Sequence, residues 1–375
     1  MRIAIIRQRY TPFGGAERFV ERALAALQVD DLDVTVIARD WPEDEASAYR
    51  RQLVRPFAIG RAWRDAAFAR AACAAVKAGG FDLVQSHERL SCCDIYRAGD
   101  GVHREWLHQR GRRRGALARF GDRLSLFHRR VLAAEKAMYA SQRLKAVVCN
   151  SRMVRDEIVR HYGLDETRVH VIRNGVDMTR FHPRLREEYR PSLRRSLGVA
   201  EAQPLFLCVG SGFERKGVDL LLDLWPDLPA SAVLVVVGND HRLNDYRRRA
   251  ARCGTRVRIV GPQQDVRPWL GSADAFLLPT LYDPFPNAAL EALACGLPVL
   301  TSSKSGVAEL IEAGVNGEVR DALDTGGWRE IVSAWADTER CAAASDGARK
   351  AAAPLTLDAM QSRFRELYSG LLQRP

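Results

Sequence analysis

The chain has 375 residues with a formal charge of +11, from 57 Lys or Arg against 46 Asp or Glu; 47% of residues are hydrophobic and 27% charged. That length suggests two α/β domains or one large one, and the composition excludes a disordered or fibrous chain. No uncharged run approaches the ~18 apolar residues of a membrane-spanning helix, and the N-terminal MRIAIIR is too short for a secretion-signal core, so a cytosolic protein is expected.

In chain order, short β-branched runs alternate with helical patterns, which predicts βαβ units and parallel sheets. The first series of runs falls at 2–6, 33–38, 82–86, 145–149 and 169–172, with helical spacing at 16–27, 63–77 and 151–162. The polar, arginine-rich stretch HPRLREEYRPSLRRSLG (182–198) reads as a linker running into a short helix. A second series follows at 204–209, 232–237, 256–260, 275–278 and 298–301, and a last helix at about 355–372. The predicted division is a first domain over 1–183, a second over 184–354, and a C-terminal helix (355–375) packing back on the first. In open α/β sheets ligands bind outside the carboxyl ends of the strands, so two such domains facing each other would set a cleft between their strand-end loops.

The positive charge is almost all arginine and is unevenly spread. Between Arg104 and Arg130, nine arginines face only Glu105 and Asp122, with Trp106, Leu107, Leu117, Phe120, Leu124, Leu126 and Phe127 recurring among them. A basic amphipathic segment of this kind suits an anionic membrane surface or a phosphorylated acceptor; a solvated helical face is the plainer alternative. No recognised nucleic-acid motif accompanies it. The eight cysteines (73, 92, 93, 149, 208, 253, 295 and 341) show no C-x-x-C pair and no metal-ligand spacing, so buried thiols are expected, without disulfides or zinc.

Three stretches carry candidate chemistry. In TPFGGAER, Gly14 and Gly15 precede a helical pattern, where glycine lets backbone approach a ligand and a helix N-terminus favours an anion. It is not G-x-G-x-x-G, so a nicotinamide site fits poorly. In FLCVGSGFERKG, a strand leads through Gly210, Ser211 and Gly212 to the cations Arg215 and Lys216, an arrangement that would neutralise a pyrophosphate. In LYDPFPNAALEALACGLPV, Asp283 precedes Glu291 by eight residues. Pro284 and Pro286 keep the intervening chain extended, and Asn287 is placed to cap a helix from Ala288. The amides of Ala288 and Ala289 would then face an anion, and Glu291 would accept hydrogen bonds from vicinal hydroxyls such as those of a ribose.

The layout from Asp283 to Val299 resembles the acid-x7-acid signature of the retaining glycosyltransferases of family four, which have the GT-B fold of two doubly wound, Rossmann-like domains. VGSGFERKG (209–217) resembles that family's phosphate loop, and VIRNGVDMTRFHP (171–183) its interdomain segment. TPFGGAER adds a likeness to the bacterial lipopolysaccharide-core glucosyltransferases within it. The resemblance implies that Glu291 holds the donor's ribose and that Arg215 and Lys216 hold its diphosphate. Gly15 would meet the phosphates, and residues around Phe285, Asn287, Ala288 and Ala289 would line the donor sugar. The Gly261–Pro262 turn would face the base, uracil by preference. Asp100 matches a polar position beside the reacting sugar, and His103 is a candidate acceptor contact, as are Arg110, Arg112, Arg113 and Arg114. The first acid of the signature is usually glutamate; Asp283 is one methylene shorter, which alters its reach to the donor sugar.

The activity so implied is transfer of a hexose from a nucleotide sugar, UDP-glucose or a related UDP-sugar, to a lipopolysaccharide-core or similar glycolipid. The anomeric configuration would be retained, with no metal and no other cofactor. Arg215, Lys216 and helix amides would stabilise the leaving diphosphate. The enzyme would sit peripherally on the inner face of the cytoplasmic membrane. Alternatives left open are a transferase using a GDP- or ADP-sugar, a nucleotide-sugar epimerase of the same fold, and a basic nucleic-acid-binding protein.

Overall fold

The computed structural model describes residues 2–9, 33–41 and 49–373. Gly14, Gly15 and the helix predicted at 16–27 lie outside the described residues. The chain forms two compact units, Met1–Asn174 with Leu357–Pro375, and Gly175–Thr356.

The first unit is built on β1 (Arg2–Ile6), β2 (Asp33–Ala38), β3 (Arg50–Leu53), β4 (Leu83–Ser86), β5 (Ile95–Arg97), β6 (Ala146–Cys149) and β7 (Val169–Val171). They form one parallel sheet in the order β3-β2-β1-β4-β5-β6-β7. Side chains of one strand point alternately to its two faces, and the two cores of this unit divide the strands that way. Ala4, Ile6, Ile37, Val84, Tyr96 and Val147 join one core with Phe68, Ala72 and Val76 of α1 (Arg61–Gly79). Ile3, Ile5, Val34, Val36, Leu83, Ile95 and Val148 join the other. Between β5 and β6 run α2 (His103–Leu124), which breaks at Gly115 (φ 79°), and α3 (Leu126–Tyr139); α4 (Arg152–Tyr162) follows β6.

The second unit opens with α5 (Leu185–Leu197). Its sheet comprises β8 (Leu205–Val209), β9 (Val233–Val237), β10 (Val257–Gly261), β11 (Ala275–Leu278), β12 (Val299–Ser302) and β13 (Gly317–Arg320), parallel and ordered β10-β9-β8-β11-β12-β13. Both sheets thus turn from one winding direction to the other next to their first strand, between β1 and β4 and between β8 and β11, the position where such sheets open a crevice at their carboxyl ends.

Several expectations need correction. Strands β3, β5 and β13 have no counterpart among the predicted runs. The stretch at 182–198 is not a linker to a short helix: α5 has 13 residues and keeps Pro191 inside it. It is held by buried Arg190 and Arg194, whose guanidinium groups donate to the two carboxylate oxygens of Asp274 at 2.8 and 3.2 Å. Cys73 and Cys92 form a disulfide joining α1 to the turn before β5, against the expectation of none; the two lie 19 residues apart and the fold brings them together. The other six cysteines are buried free thiols. No helix among the described residues is long and apolar enough to cross a membrane.

Candidate functional site

In the second unit the loops after β8, β9 and β11 interlock through glycines. A Cβ on Gly238 would lie 1.9 Å from the carbonyl oxygen of Gly210, and one on Gly217 2.0 Å from that of Pro279. The Gly212 amide donates to Asn239 O, and the Phe213 amide to the carboxylate of Asp240. These bonds seat a single helical turn, α6 (Phe213–Lys216), whose Arg215 carbonyl accepts from Leu281 N and Thr280 Oγ1, both at 2.8 Å. The two cations predicted to hold a diphosphate are therefore fixed against the end of β11.

Lys216 turns inward. Its Nζ lies 2.5 Å from Oδ2 of Asp283, and the two residues are 8% and 5% exposed. Burial alone would raise the Asp283 pKa, but the charges of Lys216 and Arg215, with hydrogen bonds from Lys216 and the Phe285 amide, outweigh it and hold the carboxyl below its usual range. Asp283 is also stitched to the loop after β12: its amide donates to Lys304 O and its carbonyl accepts from Gly306 N. Asp283 and Lys216, both expected from the sequence to serve the donor, thus form one buried pair, a link their separation of 67 residues does not announce.

The helix following Asp283, α7 (Asn287–Ala294), takes Pro286 as its N-cap without a side-chain cap bond, so Asn287 is its first residue and not the cap. The Ala289 amide donates to Pro286 O and is not free, as expected, for an anion. Glu291 is buried in this helix and Phe285 lies in the apolar core. Gly261 ends β10 at φ 89°, and its carbonyl accepts from Gly238 N; Pro262 is exposed.

In the first unit, polar residues gather where β1, β4 and β5 end. Glu88 accepts from Gln8 N at 3.0 Å and from Arg7 Nη1 at 3.5 Å. His87 is buried, its Nε2 3.2 Å from Gln85 Nε2, while Gln85 Oε1 accepts from Tyr368 Oη at 2.7 Å. Burial, followed by the charges of Arg97 and Arg7, holds the His87 pKa far below its ordinary value, so the ring is neutral at pH 7. Arg97 is buried with Nη2 2.6 Å from Asn174 Oδ1, and burial lowers its pKa to about 9. Asp100 is exposed in the turn after β5, and its charge acts on Glu88, Arg89 and Arg97. Sequence reasoning named Asp100 and missed His87, Glu88 and Arg97. Their one visible signal is a polar residue at the carboxyl end of an otherwise apolar strand.

His103 opens α2 and belongs to a buried network. Its amide donates to Glu135 Oε1 at 2.9 Å, and its Nε2 lies 3.1 Å from His128 Nδ1. Glu135, wholly buried, also accepts from Arg89 Nε at 2.9 Å and Tyr162 Oη at 2.6 Å. Arg110 pairs with Asp122 at 3.2 Å and reaches His128. Arg112, Arg113 and Arg114 stand at the surface, so the four arginines named as acceptor candidates divide into one structural and three outward-facing. No group of three or more His, Cys, Asp or Glu suited to a metal occurs among the described residues. Asp33, the last residue of the chain's D-x-D triplet at 31–33, opens β2 and pairs with Arg50 at 3.3 Å.

Residues 13–180 match the model "Glycosyltransferase Family 4", and residues 203–337 match "Glycosyl transferases group 1". The chain is 30% identical to the D-inositol 3-phosphate glycosyltransferase of Xylanimonas cellulosilytica, over 79% of this chain and 73% of that protein. It is 27% identical to the lipopolysaccharide glucosyltransferase WaaG of Escherichia coli, over 83% of each. A crystal structure of WaaG superposes with a TM-score of 0.84 at 25% identity, covering 97% of this chain and 99% of that one. The fold is shared with HepE of Anabaena, solved with UDP-glucose, at a TM-score of 0.74, 18% identity, and coverage of 99% and 100%.

Proposed function

The chain belongs to the glycosyltransferases of family 4, with the GT-B fold, and from that premise we propose that it moves a hexose from a UDP-sugar, UDP-glucose or a close relative, to a lipopolysaccharide-core or similar glycolipid, with retention of anomeric configuration and without a metal ion. The observation that carries this reading is the buried Lys216–Asp283 pair set beside Arg215, with Glu291 buried in the helix that follows Asp283. In the transfer, the bond from the anomeric carbon to the diphosphate breaks and one to the acceptor oxygen forms. The acceptor's proton passes to a diphosphate oxygen. Arg215 and Lys216 supply positive charge where the leaving group gains negative charge, the kind of preorganised stabilisation that lowers such a barrier most. Asp283 reads hydroxyls of the donor sugar and Glu291 those of the ribose. In the first unit, Asp100 and neutral His87 are the groups offered to the reacting sugar.

Thermal unfolding with UDP, GDP, ADP and their common sugars, with and without EDTA, tests this. A ligand bound only by the native state stabilises it by RT ln(1 + [L]/Kd). UDP and one UDP-sugar are expected to raise Tm, unaffected by EDTA, with the shift lost in Glu291→Ala; stabilisation by GDP or ADP instead would reassign the donor. The 30% identity to D-inositol 3-phosphate glycosyltransferases favours a phosphorylated polyol as the second acceptor reading, and transfer assays with the two acceptor classes separate them. Arg112, Arg113 and Arg114 further support peripheral binding to the anionic inner face of the cytoplasmic membrane. Loss of binding to phosphatidylglycerol vesicles is expected when all three are replaced by Gln, and unchanged binding would refute it.

A further inference from the structure

Ser305 Oγ is buried without a hydrogen-bond partner, and among the described residues it is the one serine or threonine hydroxyl in that condition. The residue is 1% exposed. A buried hydroxyl that has left water and found no acceptor is destabilising, and native proteins keep few such groups. Its neighbours are all satisfied. Thr280 Oγ1 donates to Arg215 O at 2.8 Å, Thr301 Oγ1 to Leu278 O at 3.0 Å, and Ser302 Oγ to Thr280 O at 2.5 Å. The main chain of Ser305 is engaged as well, its amide donating to Ser302 O and its carbonyl accepting from Ala308 N. The loop after β12 is thus closely bonded, and this hydroxyl takes no part in building it.

Beside it stands Asp283. The bonds from Asp283 N to Lys304 O and from Gly306 N to Asp283 O make Asp283 and Ser305 direct partners in a parallel bridge. Chains so paired run about 4.8 Å apart, and directly paired residues turn their side chains to the same side. A move of the serine side chain from one staggered well to another suffices to bring Oγ to the carboxylate. That carboxylate offers about four acceptor positions and takes bonds from Lys216 Nζ and the Phe285 amide. Lys216 in turn lies across Gly210 in the loop after β8, where a Cβ would sit 2.7 Å from its Cε and 3.2 Å from its Nζ. An anion held by that loop would draw on the same ammonium that neutralises Asp283. The buried carboxylate would then be left short of counter-charge, a costly state.

We infer that Ser305 is a positioning residue for Asp283: when a donor's diphosphate draws on Lys216, the Ser305 hydroxyl turns to donate to the Asp283 carboxylate and holds it in place for the donor sugar. The inference rests on the donor reading proposed above. The hydroxyl is a burden to the free protein and becomes an asset only in the complex, which gives the test its sign. Calorimetric titration of the full chain with UDP, and thermal unfolding of the free protein, are compared for wild type, Ser305→Ala, Asp283→Ala and the double variant. A hydrogen bond to a charged group sets the scale, so Ser305→Ala is expected to weaken UDP binding about tenfold or more. Tm of the free protein should stay the same or rise, because the hydroxyl removed had no partner. In the Asp283→Ala background, Ser305→Ala should change UDP affinity less than about twofold, since no carboxylate is left to hold. GDP or ADP replaces UDP in the titration if the wild type binds it instead. Unchanged diphosphate binding in Ser305→Ala would overturn the inference, and a lowered Tm beside it would assign the hydroxyl to a buried water. An equal loss with and without Asp283 would also overturn it, placing the hydroxyl on the ligand itself. Both results leave the donor reading intact. A wild type that binds none of the three nucleotides would overturn that reading and this inference together.

Discussion

Lys216 carries two demands at once. It stands in the loop proposed to hold the donor's phosphates, yet its ammonium is spent on Asp283 in an environment where both groups are nearly dry. Taking two ions out of water is costly, and the pair is tolerated because each supplies the other's counter-charge. Asp283 is a methylene shorter than the glutamate usual in this family, and the 2.5 Å contact shows where that shortened arm goes: to the lysine. Removing one member is therefore worse than removing both. Lys216→Met is expected to cost about 3–5 kcal/mol in urea unfolding, with Asp283→Asn costing less and the double variant recovering part of the loss. A double variant no better than Lys216→Met would show the lysine acting without its partner. Arg215→Met, which leaves that pair intact, should spare stability while weakening UDP binding.

Strands were the most legible elements because a doubly buried parallel strand must be a short apolar run. β9, LVVV-rich and fully buried, is the plainest case. β3 reads RRQL, is half exposed and sits at the sheet edge, so no apolar run marks it. β5 has only three residues. The helix α5 was hidden by its polarity and by Pro191; tertiary ion pairs to Asp274 override the local signal. In the candidate site, the proposed phosphate loop and the two acids could be named from the sequence because motif residues lie close together in it. The groups of the first unit were not, since His87, Glu88 and Arg97 meet only after three strands are aligned. The α2–α3–α4 packing makes its own prediction. Glu135 of α3 binds the His103 amide of α2 and Tyr162 of α4, and burial, then the nearby Arg89 charge, lowers the His103 pKa to about 4. An unfolded histidine titrates near 6.5. Between pH 6.5 and 4 the unfolded chain binds a proton that the folded chain refuses, so stability falls as pH falls through that window. Tm measured across it should drop for the wild type, and more shallowly for His103→Gln; parallel slopes would remove His103 from the account.

At the scale of the whole chain, the C-terminal helix belongs with the residues that begin the sequence. α8 (Leu357–Leu372) is assigned to the first unit, although the whole second unit intervenes. Its buried Met360, Phe364, Leu367, Tyr368 and Leu371 repeat at helical spacing and join the core lined by Ile3, Ile5, Val36 and Ile95. Tyr368 further bonds Gln85, the residue that positions His87. Burial of five such side chains contributes on the order of 10 kcal/mol as an upper bound, comparable with the 5–15 kcal/mol that keeps a typical domain folded. A chain ending at Thr356 should therefore lose the first unit and keep the second. Calorimetry is expected to show one remaining transition, and limited proteolysis to spare a fragment near 175–356. Adding the peptide 357–375 should restore protection of the first unit, because the missing piece is a contact surface and not a folding instruction. If instead the truncated chain retains both transitions, the first sheet is stable with one face uncovered, and the helix would be needed only to hold Gln85 and His87 in register. UDP-sugar turnover by that truncated chain would then separate the two roles, since a stable but misaligned His87 would lower kcat without unfolding the unit.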